Sequence, residues 1–431
     1  MGSQALRTGF DLEEEERFFI SGVEKAGRSR NTYEHQLRKR KVLVGVLIAI
    51  GSLGLVALII GLAWGLSRRK LDYVCPRSYD PSKTDLVFYV IGDWGRSGND
   101  NQQKAARLMS DVSQCMPPKF IISTGDNFYP HGLSSSTDSQ FRSSFSSVYT
   151  APGLQVPWYA VMGNHDYGDS VDKAQVASGY YLTNVTSPDQ CTGKNCISPY
   201  WQIVPELAAS DRRWNASLGN VVTRSFTLPG GQLAAAGGPG GGGGGQNTLD
   251  IMFVDTVPLI SQYDNHIWAS FLYGFKSQNA SGIKSQLEQQ LAASVARGAK
   301  WRLVVGHHPV RSYGSHCSDV SGGYVGTFVG MFVGWQCMHG LGARTAAKVE
   351  VKGGEPESYD CRDMDRAIGY ALQQYGVAAY INGHEHDQQL IKGFVAVVLT
   401  GDTMRLHFYT TGQSGPTYTR SLSPPPPPPS G

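Results

Sequence analysis

The longest hydrophobic stretch of the chain runs from Val42 to Leu66 and contains no charged residue. Its 25 residues are enough to cross the roughly 30 Å hydrocarbon core of a bilayer as a helix. The apolar part of a signal peptide is shorter and lies close to the N-terminus, whereas 41 residues precede this stretch. A core helix of a soluble domain would show polar positions at helical spacing. The pattern therefore predicts one transmembrane helix at 42–66.

Downstream of this stretch, apolar residues recur at the periods of regular secondary structure. Three segments have the helical period of three to four residues, namely Gln102–Cys115, Ile283–Arg297 and Met364–Tyr375. Short apolar runs of the kind found in buried strands alternate with them. This alternation indicates an α/β domain, which we expect to extend from about residue 85 to about residue 422.

A nearly pure glycine segment, Gly237–Gly245, separates two strand-like runs, Val221–Thr227 and Leu249–Val254. We interpret it as the long loop of a β-hairpin. A phosphate-binding loop is the alternative, but the segment lacks the Lys-Ser/Thr pair and the following helix of a P-loop.

The regions outside the domain are polar or of low complexity. Residues 1–41 combine an acidic run with a basic cluster, and we expect them to form a disordered cytoplasmic tail. Residues 67–84 would link the membrane helix to the domain. Residues 423–431 contain six consecutive prolines, which favour an extended tail that cannot join a packed core.

A pattern that occurs five times carries the chemistry of the domain. Each time, an apolar run of strand type leads to a glycine, and metal-binding side chains follow it. The five segments are LVFYVIGDWG, FIISTGDNFY, YAVMGNHD, WRLVVGHHP and AAYINGHEH. Glycine allows a sharp turn off the strand, so we expect the next side chain to point into the crevice at the carboxyl edge of the sheet. Open α/β sheets bind their ligands at this edge.

The side chains at these strand ends are carboxylates, an amide, a phenol and imidazoles. They belong to Asp93, Asp126, Tyr129, Asn164, His165, His307, His308, His384 and His386. Oxygen and imidazole ligands together suit iron, manganese and zinc. Two such ions about 3.5–4 Å apart can hold the attacking and the leaving oxygen of a displacement at phosphorus. One such motif arises by chance, but five at successive strand ends indicate a metal site.

Cysteines and glycosylation sequons indicate an oxidising compartment for the domain. All seven cysteines follow the apolar stretch, as do the sequons at Asn184, Asn215 and Asn279. Basic residues are more frequent before the stretch than after it. We therefore expect a single-pass glycoprotein with a cytoplasmic N-terminus and a lumenal or extracellular domain. Cys191 and Cys196 are the first candidates for a disulfide, with free buried thiols as the alternative.

The overall composition fits one large folded domain. Hydrophobic residues make up 41% of the chain and charged residues 17%, which is enough apolar material for a sizeable core. The net charge of +3 gives no indication of nucleic-acid binding, because much of the basic excess lies beside the apolar stretch.

The five motifs resemble those of the calcineurin-like metallophosphoesterases, and Tyr129 narrows the resemblance to the purple acid phosphatases. In that family a tyrosine at this position binds ferric iron and produces the purple colour. The chain is similar to the small, tartrate-resistant acid phosphatase branch, because the domain begins almost directly at the GDWG motif. The resemblance covers roughly residues 85–422. It implies a four-layer sandwich of two mixed β-sheets flanked by helices.

Carried over position by position, the resemblance implies a pair of metal ions. Ferric iron would be held by Asp93, Tyr129 and His386. A divalent ion (iron, zinc or manganese) would be held by Asn164, His307 and His384, and Asp126 would bridge both ions.

The resemblance also implies roles for histidines that do not bind metal. His165 would contact the substrate phosphate, and His316, nine residues beyond His307, would be its partner. These two are the candidates to protonate the leaving alkoxide. We expect no metal role for His308, where the family usually has tyrosine.

The implied reaction is the hydrolysis of phosphomonoesters by a metal-bound hydroxide at acidic pH. A different metallophosphoesterase activity, such as a phosphodiesterase or a nucleotide pyrophosphatase, is the first alternative. The second is a catalytically impaired membrane binding protein on the same fold. It is suggested by the glycine segment, by an insert at Ser318–Asp360 and by the short passage from His386 to Gly393.

Overall fold

The elements around the five motifs are short strands joined by helices and 3₁₀ turns. The computed structural model describes residues 35–61, 75–229, 246–310, 331–333, 359–384 and 393–425. The strands are β1 (Leu86–Ile91), β2 (Ile121–Ser123), β3 (Trp158–Ala160), β4 (Trp214–Ala216), β5 (Val221–Thr227), β6 (Gln246–Val254), β7 (Ala299–Val305), β8 (Met331–Val333), β9 (Ala379–Ile381), β10 (Gly393–Thr400), β11 (Thr403–Thr410) and β12 (Pro416–Leu422). The helices are α1 (His35–Gly61), α2 (Asp100–Ser113), α3 (Ser139–Phe141), α4 (Lys173–Ala177), α5 (Pro205–Ser210), α6 (Ala280–Ala296), α7 (Tyr359–Met364) and α8 (Tyr370–Gln374).

The strands form two mixed sheets. The first has the order β12-β11-β10-β1-β2-β3-β4, in which β1 to β4 are parallel and β10 to β12 are antiparallel. The second has the order β5-β6-β7-β9-β8, in which β6, β7 and β9 are parallel and the two edge strands are antiparallel to their neighbours. The expected pair of mixed sheets is confirmed.

Successive side chains of the strands supply three apolar layers. Phe88 of β1 belongs to the same buried cluster as Ile251 of β6 and Leu303 of β7, which places this core between the two sheets. The next residue, Tyr89, points the other way and clusters with Met109 of α2, because side chains alternate along a strand. A third cluster joins the outer face of the second sheet to α6 and α7. Together the sheets and the helices make the four layers expected.

The predicted helices are present with shifted boundaries. The side chain of Asn99 caps α2, and that of Asn279 caps α6. In α6 the buried residues include Ile283, Leu287 and Leu291, which confirms the predicted apolar face. The third helix starts earlier than predicted, at Tyr359, and a π-helical segment, Asp365–Gly369, interrupts it. The hairpin is confirmed as β5–β6, but its glycine loop at Gly237–Gly245 lies outside the described residues.

Two disulfides are described with both of their cysteines, one before β3 and one after it. Cys191–Cys196 is confirmed as the local disulfide. Cys75–Cys115, which the sequence did not suggest, joins the residues before β1 to the chain after α2. Cys361 is disulfide-bonded as well.

The N-terminal unit, residues 1–70, is a separate body with one described helix, α1. By length and composition, α1 is able to span a membrane. It begins at His35, before the predicted start at Val42, so residues 35–41 of the expected disordered tail are helical. Lys and Arg are good helix formers, and the apolar pattern alone does not mark where they extend a helix. Residues 1–34 and 62–66 lie outside the described residues.

We expect the contribution of His407 to the stability of the domain to fall between pH 6.5 and about pH 4. Burial, followed by the charge of Arg405, lowers the pKa of His407 to about 4. The folded state therefore disfavours the charged imidazole, and its stabilisation is complete above pH 6.5 and is lost as the pH falls through 4. The loss amounts to up to about 3 kcal/mol, at about 1.4 kcal/mol per pKa unit.

The test is urea unfolding of the wild type and of His407→Gln between pH 4 and pH 7. His407→Gln should flatten the dependence of the unfolding free energy on pH. Thr419→Val is the matched control, because Thr419 Oγ1 lies 3.0 Å from Nδ1 of His407 and its loss leaves the imidazole in place. An unchanged slope in His407→Gln would show that another group is responsible.

Candidate metal centre

The five motifs meet because each sheet contributes parallel strands that end at the same edge. β1, β2 and β3 are neighbours in the first sheet, and β7 and β9 are neighbours in the second. The two edges touch directly. Nδ1 of His307, after β7, lies 2.9 Å from the carbonyl oxygen of Thr124, after β2. The backbone N–H of His384, after β9, donates to the carboxylate of Asp93, after β1, at 3.2 Å.

Three of the candidate ligands adopt left-handed backbone conformations. Their φ angles are 60° for Asp93, 51° for Asp126 and 72° for His384. Such angles cost a residue with a side chain on the order of 1 kcal/mol each, and they cluster at functional sites. The ligand residues themselves therefore make the sharp turn at these three strand ends.

The glycine before each motif is needed chiefly for space, which corrects the expectation that it makes the turn. Of the five glycines, only Gly125 has a left-handed φ, of 95°. A Cβ on Gly125 would lie 2.6 Å from Nδ1 of His307, and one on Gly383 would lie 2.6 Å from Oδ2 of Asp93. Side chains at these positions would push the two sheet edges apart.

Asp93, Asp126 and Tyr129 form one group of oxygen ligands. The hydroxyl of Tyr129 donates to Oδ2 of Asp126 at 2.7 Å and lies 3.3 Å from Oδ1 of Asp93. Burial and then the two carboxylates raise the pKa of Tyr129 well above its ordinary value. The guanidinium of Arg96 lies 3.6 Å from the centre of the Tyr129 ring, which is close enough for a cation–π interaction.

Asn164, His307 and His384 form the second group. Nε2 of His307 lies 3.1 Å from Oδ1 of Asn164 and 3.1 Å from Nδ1 of His384. Each of these side chains is held in its orientation by a hydrogen bond from the atom on its far side. The Thr124 carbonyl accepts from Nδ1 of His307, and Oδ2 of Asp169 accepts from Nδ2 of Asn164 at 2.7 Å. The carboxylate of Asp360 lies 3.0 Å from Nε2 of His384.

These partners leave three lone pairs facing one another. A carbonyl and a carboxylate only accept hydrogen bonds, so each neutral ring carries its proton on the nitrogen turned away from the site. The atoms turned inward, Nε2 of His307, Nδ1 of His384 and Oδ1 of Asn164, are then all acceptors. Only a proton or a cation between them relieves this arrangement. The second group therefore fits a metal ion.

Asp126 lies between the two groups. Its Oδ2 accepts from Tyr129, whereas its Oδ1 is 3.4 Å from Nε2 of His307 and accepts from the backbone N–H of His165 at 2.9 Å. Burial raises the pKa of Asp126, but the positive charges that His307, His165 and His384 carry when protonated lower it more, so the net pKa then lies below the ordinary value. An ionised carboxylate with its oxygens in two ligand groups fits a bridge between two cations.

His165 lies beside the ligands. Its Nδ1 lies 2.7 Å from the carbonyl oxygen of Pro130, and its ring packs against that of Tyr129 at 4.3 Å between centres. Its Nε2 lies 3.8 Å from Oδ2 of Asp126. The imidazole is thus oriented towards the site and is part-exposed.

His308 is buried close to His307 and His384, but its two ring nitrogens have other partners. Nδ1 lies 2.9 Å from Oγ1 of Thr256, and Nε2 lies 2.9 Å from the hydroxyl of Tyr263. Burial lowers the pKa of His308 well below its ordinary value, which keeps the ring neutral. His308 nevertheless offers a ring nitrogen within 4.8 Å of ligand atoms of His307 and His384, so its lack of a metal role stays a prediction.

Two further predicted residues, His316 and His386, lie outside the described residues. Several residues that hold the ligands were missed by sequence reasoning. Asp166 accepts from the backbone N–H of Gly163 at 2.9 Å and of Asn127 at 3.0 Å, and so ties the turn after β3 to the turn after β2. Asp169 lies five residues after Asn164 and was within reach of a local pattern. Asp360 is 24 residues from His384, and nothing local points to it.

Comparisons with known proteins agree with the resemblance in the motifs. The family model "Calcineurin-like phosphoesterase" matches residues 86–388. Purple acid phosphatase 3 of Arabidopsis thaliana is 35% identical over 252 residues, which are 57% of this chain and 54% of that protein, so the match spans about half of its length. Purple acid phosphatase 17 of the same plant is 27% identical over 355 residues, 81% of this chain and 74% of that protein.

A solved structure described as "GAP50 the anchor in the inner membrane complex of Plasmodium" is also similar. It aligns with 80% of this chain and 90% of its own, at 17% identity and a TM-score of 0.46. Similarity at this level carries no argument about function.

We expect Gly125→Ala to destabilise the domain more than Gly412→Ala does. Both glycines have left-handed φ angles, 95° and 88°, so both substitutions pay a similar backbone penalty of about 1–2 kcal/mol. A Cβ at Gly412 meets nothing within 4 Å, whereas one at Gly125 meets Nδ1 of His307. Chemical unfolding of both variants measures the difference. Equal losses would show that the sheet edges are not tightly packed at the site.

Proposed function

This chain belongs to the calcineurin-like phosphoesterase family, and on that premise we propose that it is an acid phosphatase that hydrolyses phosphomonoesters. The observation that supports this most directly is the position of Asp126, whose two oxygens face two different groups of ligands. A site built for one metal ion has no need of the second group. The names of the curated relatives, purple acid phosphatases, point to the same activity.

We propose that Asp93, Tyr129 and His386 hold ferric iron and that Asn164, His307 and His384 hold a divalent ion, with Asp126 between them. The phenol beside two carboxylates supports iron in the first group, since hard oxygen ligands suit Fe(III). The amide and two imidazoles of the second group suit iron, zinc or manganese. When bound, such ions lower the pKa of water and neutralise charge on the phosphoryl oxygens.

The protein itself would supply substrate contacts and a proton. His165 is oriented by the Pro130 carbonyl, which accepts from Nδ1, so that Nε2 faces the site. When the ring carries both protons, Nε2 is placed to donate to a phosphate oxygen or to a leaving alkoxide. His316 is proposed as its partner. Asp169 keeps the amide of Asn164 turned so that its oxygen, rather than its nitrogen, faces His307.

We further propose that α1 anchors the chain in a membrane and that the domain is lumenal or extracellular. The asparagines of the three sequons, Asn184, Asn215 and Asn279, are all exposed and therefore open to glycosylation. The two described disulfides also favour an oxidising compartment. A change in the electrophoretic mobility of the full chain after glycosidase treatment measures this orientation.

The test of the activity is the release of nitrophenol from p-nitrophenyl phosphate at acidic pH by the full chain. Asp126→Asn should lower kcat/KM by at least about 100-fold, because one neutral amide cannot bridge two cations. Asp402→Asn, at a side chain that is 81% exposed, is the matched control. Hydrolysis of bis(p-nitrophenyl) phosphate in preference to the monoester would instead support a phosphodiesterase. No turnover in metal-loaded wild type would overturn the proposal.

The test of iron is the visible absorption of the purified protein. A Tyr129–Fe(III) pair should give a charge-transfer band that disappears in Tyr129→Phe while iron stays bound. Tyr180→Phe is the matched control, because Tyr180 is 58% exposed. A colourless wild type that contains manganese or zinc only would contradict the assignment of ferric iron.

A further inference from the structure

Asp360 is a buried carboxylate directly behind a proposed metal ligand. It is only 2% exposed, and its Oδ2 lies 3.0 Å from Nε2 of His384. The opposite nitrogen of the same ring, Nδ1, faces His307. Asp360 is thus on the far side of His384 from the ligand groups and does not line them.

This contact fixes the state of the His384 ring. A neutral imidazole carries one N–H, and a carboxylate can only accept, so the proton lies on Nε2. Nδ1 then presents its lone pair to the site. Without Asp360, the proton could move to Nδ1 or the ring could rotate, and either change would remove one of the three inward-facing lone pairs.

Asp360 is itself held firmly by a second element. Its Oδ1 accepts from Nε2 of Gln262 at 2.6 Å. One turn further along the same helix segment, Asp363 accepts from the backbone N–H of Ser261 at 2.7 Å and from its hydroxyl at 2.6 Å. Residues three apart lie on one face of a helix, so both carboxylates dock α7 on the Ser261–Gln262 segment. Of these two carboxylates, Asp360 is the one described in contact with His384.

We propose that Asp360 is a positioning residue, which orients His384 and makes Nδ1 a better metal ligand. Carboxylates behind ligating histidines act in this way in metal sites generally. The proposal rests on the proposed metal site. It also changes the interpretation of the Ser318–Asp360 insert, because the last residue of that stretch supports the site instead of standing apart from it.

The experiment compares Asp360→Ala with Asp363→Ala in the full chain. The two variants remove a carboxylate from the same helix face, and both loosen its docking. Calorimetric titration of the metal-free proteins with Zn²⁺ measures the affinity, and thermal unfolding without metal measures the loss of docking. We expect Asp360→Ala to bind Zn²⁺ about 10–100-fold more weakly than the wild type, and Asp363→Ala to bind it with nearly unchanged affinity.

Asp360→Asn keeps an acceptor oxygen without the charge, and it serves if Asp360→Ala does not fold. If both variants fold, Asp360→Asn should lose less affinity for Zn²⁺ than Asp360→Ala. If only Asp360→Asn folds, it should still bind Zn²⁺ measurably more weakly than the wild type. Wild-type affinity in both Asp360 variants would overturn the proposal, as would equal losses in Asp360→Ala and Asp363→Ala. If the wild type binds no Zn²⁺, the proposed metal site fails, and that outcome is distinct from a failure of the role of Asp360.

Discussion

Repulsion between inward-facing lone pairs is the constraint on which the rest of the site depends. Nε2 of His307 lies 3.1 Å from both Oδ1 of Asn164 and Nδ1 of His384. The protein turns each of these atoms inward by giving its opposite atom a better partner, namely a carbonyl or a carboxylate. Buried polar atoms usually pair with one another, so three buried acceptors in contact are costly without a cation. The metal-free fold bears this free-energy cost, and a bound cation would remove it, which would strengthen metal binding by the same amount.

The constraint also acts between the two sheets. Asn164 follows a strand of the first sheet, whereas His307 and His384 follow strands of the second. Asp126, which follows a strand of the first sheet and belongs to the group of oxygen ligands, also contacts His307 of the second sheet. Bound cations would therefore hold together the two carboxyl edges, in addition to the apolar core between the sheets. The left-handed φ angles of Asp93, Asp126 and His384 add a further energetic cost at the same place. Packing in the rest of the domain must offset this cost.

The sequence was sufficient for those features that are local in the chain. Each strand end combines an apolar run, a glycine and a metal-binding side chain within ten residues, so the five positions, the α/β class and the Cys191–Cys196 disulfide could be predicted. The start of α1 was missed because basic residues extend the helix beyond the apolar stretch. The purpose of the glycines was misjudged because a close approach of two sheets leaves no local pattern.

Orientation was the part that the sequence could not supply. Which nitrogen of His384 faces inward depends on Asp360, and the turn after β3 depends on the contact between Asp166 and Asn127. These pairs are 24 and 39 residues apart, and their contacts exist only once both sheets have formed. The residue types of the candidate ligands could therefore be read from the sequence, whereas their orientations could not.

The Cys75–Cys115 disulfide changes where the domain is attached to its N-terminal chain. By sequence, the leading segment enters the domain at β1, the central strand beside β2 and β10. The crosslink makes Cys115, at the far end of α2, a second point of attachment. A mechanical load on the N-terminal chain would be shared with the end of a surface helix before it reached β1. β1, the strand that leads to Asp93, would then carry less of the tension, and reduction of this one bond would return the full load to it.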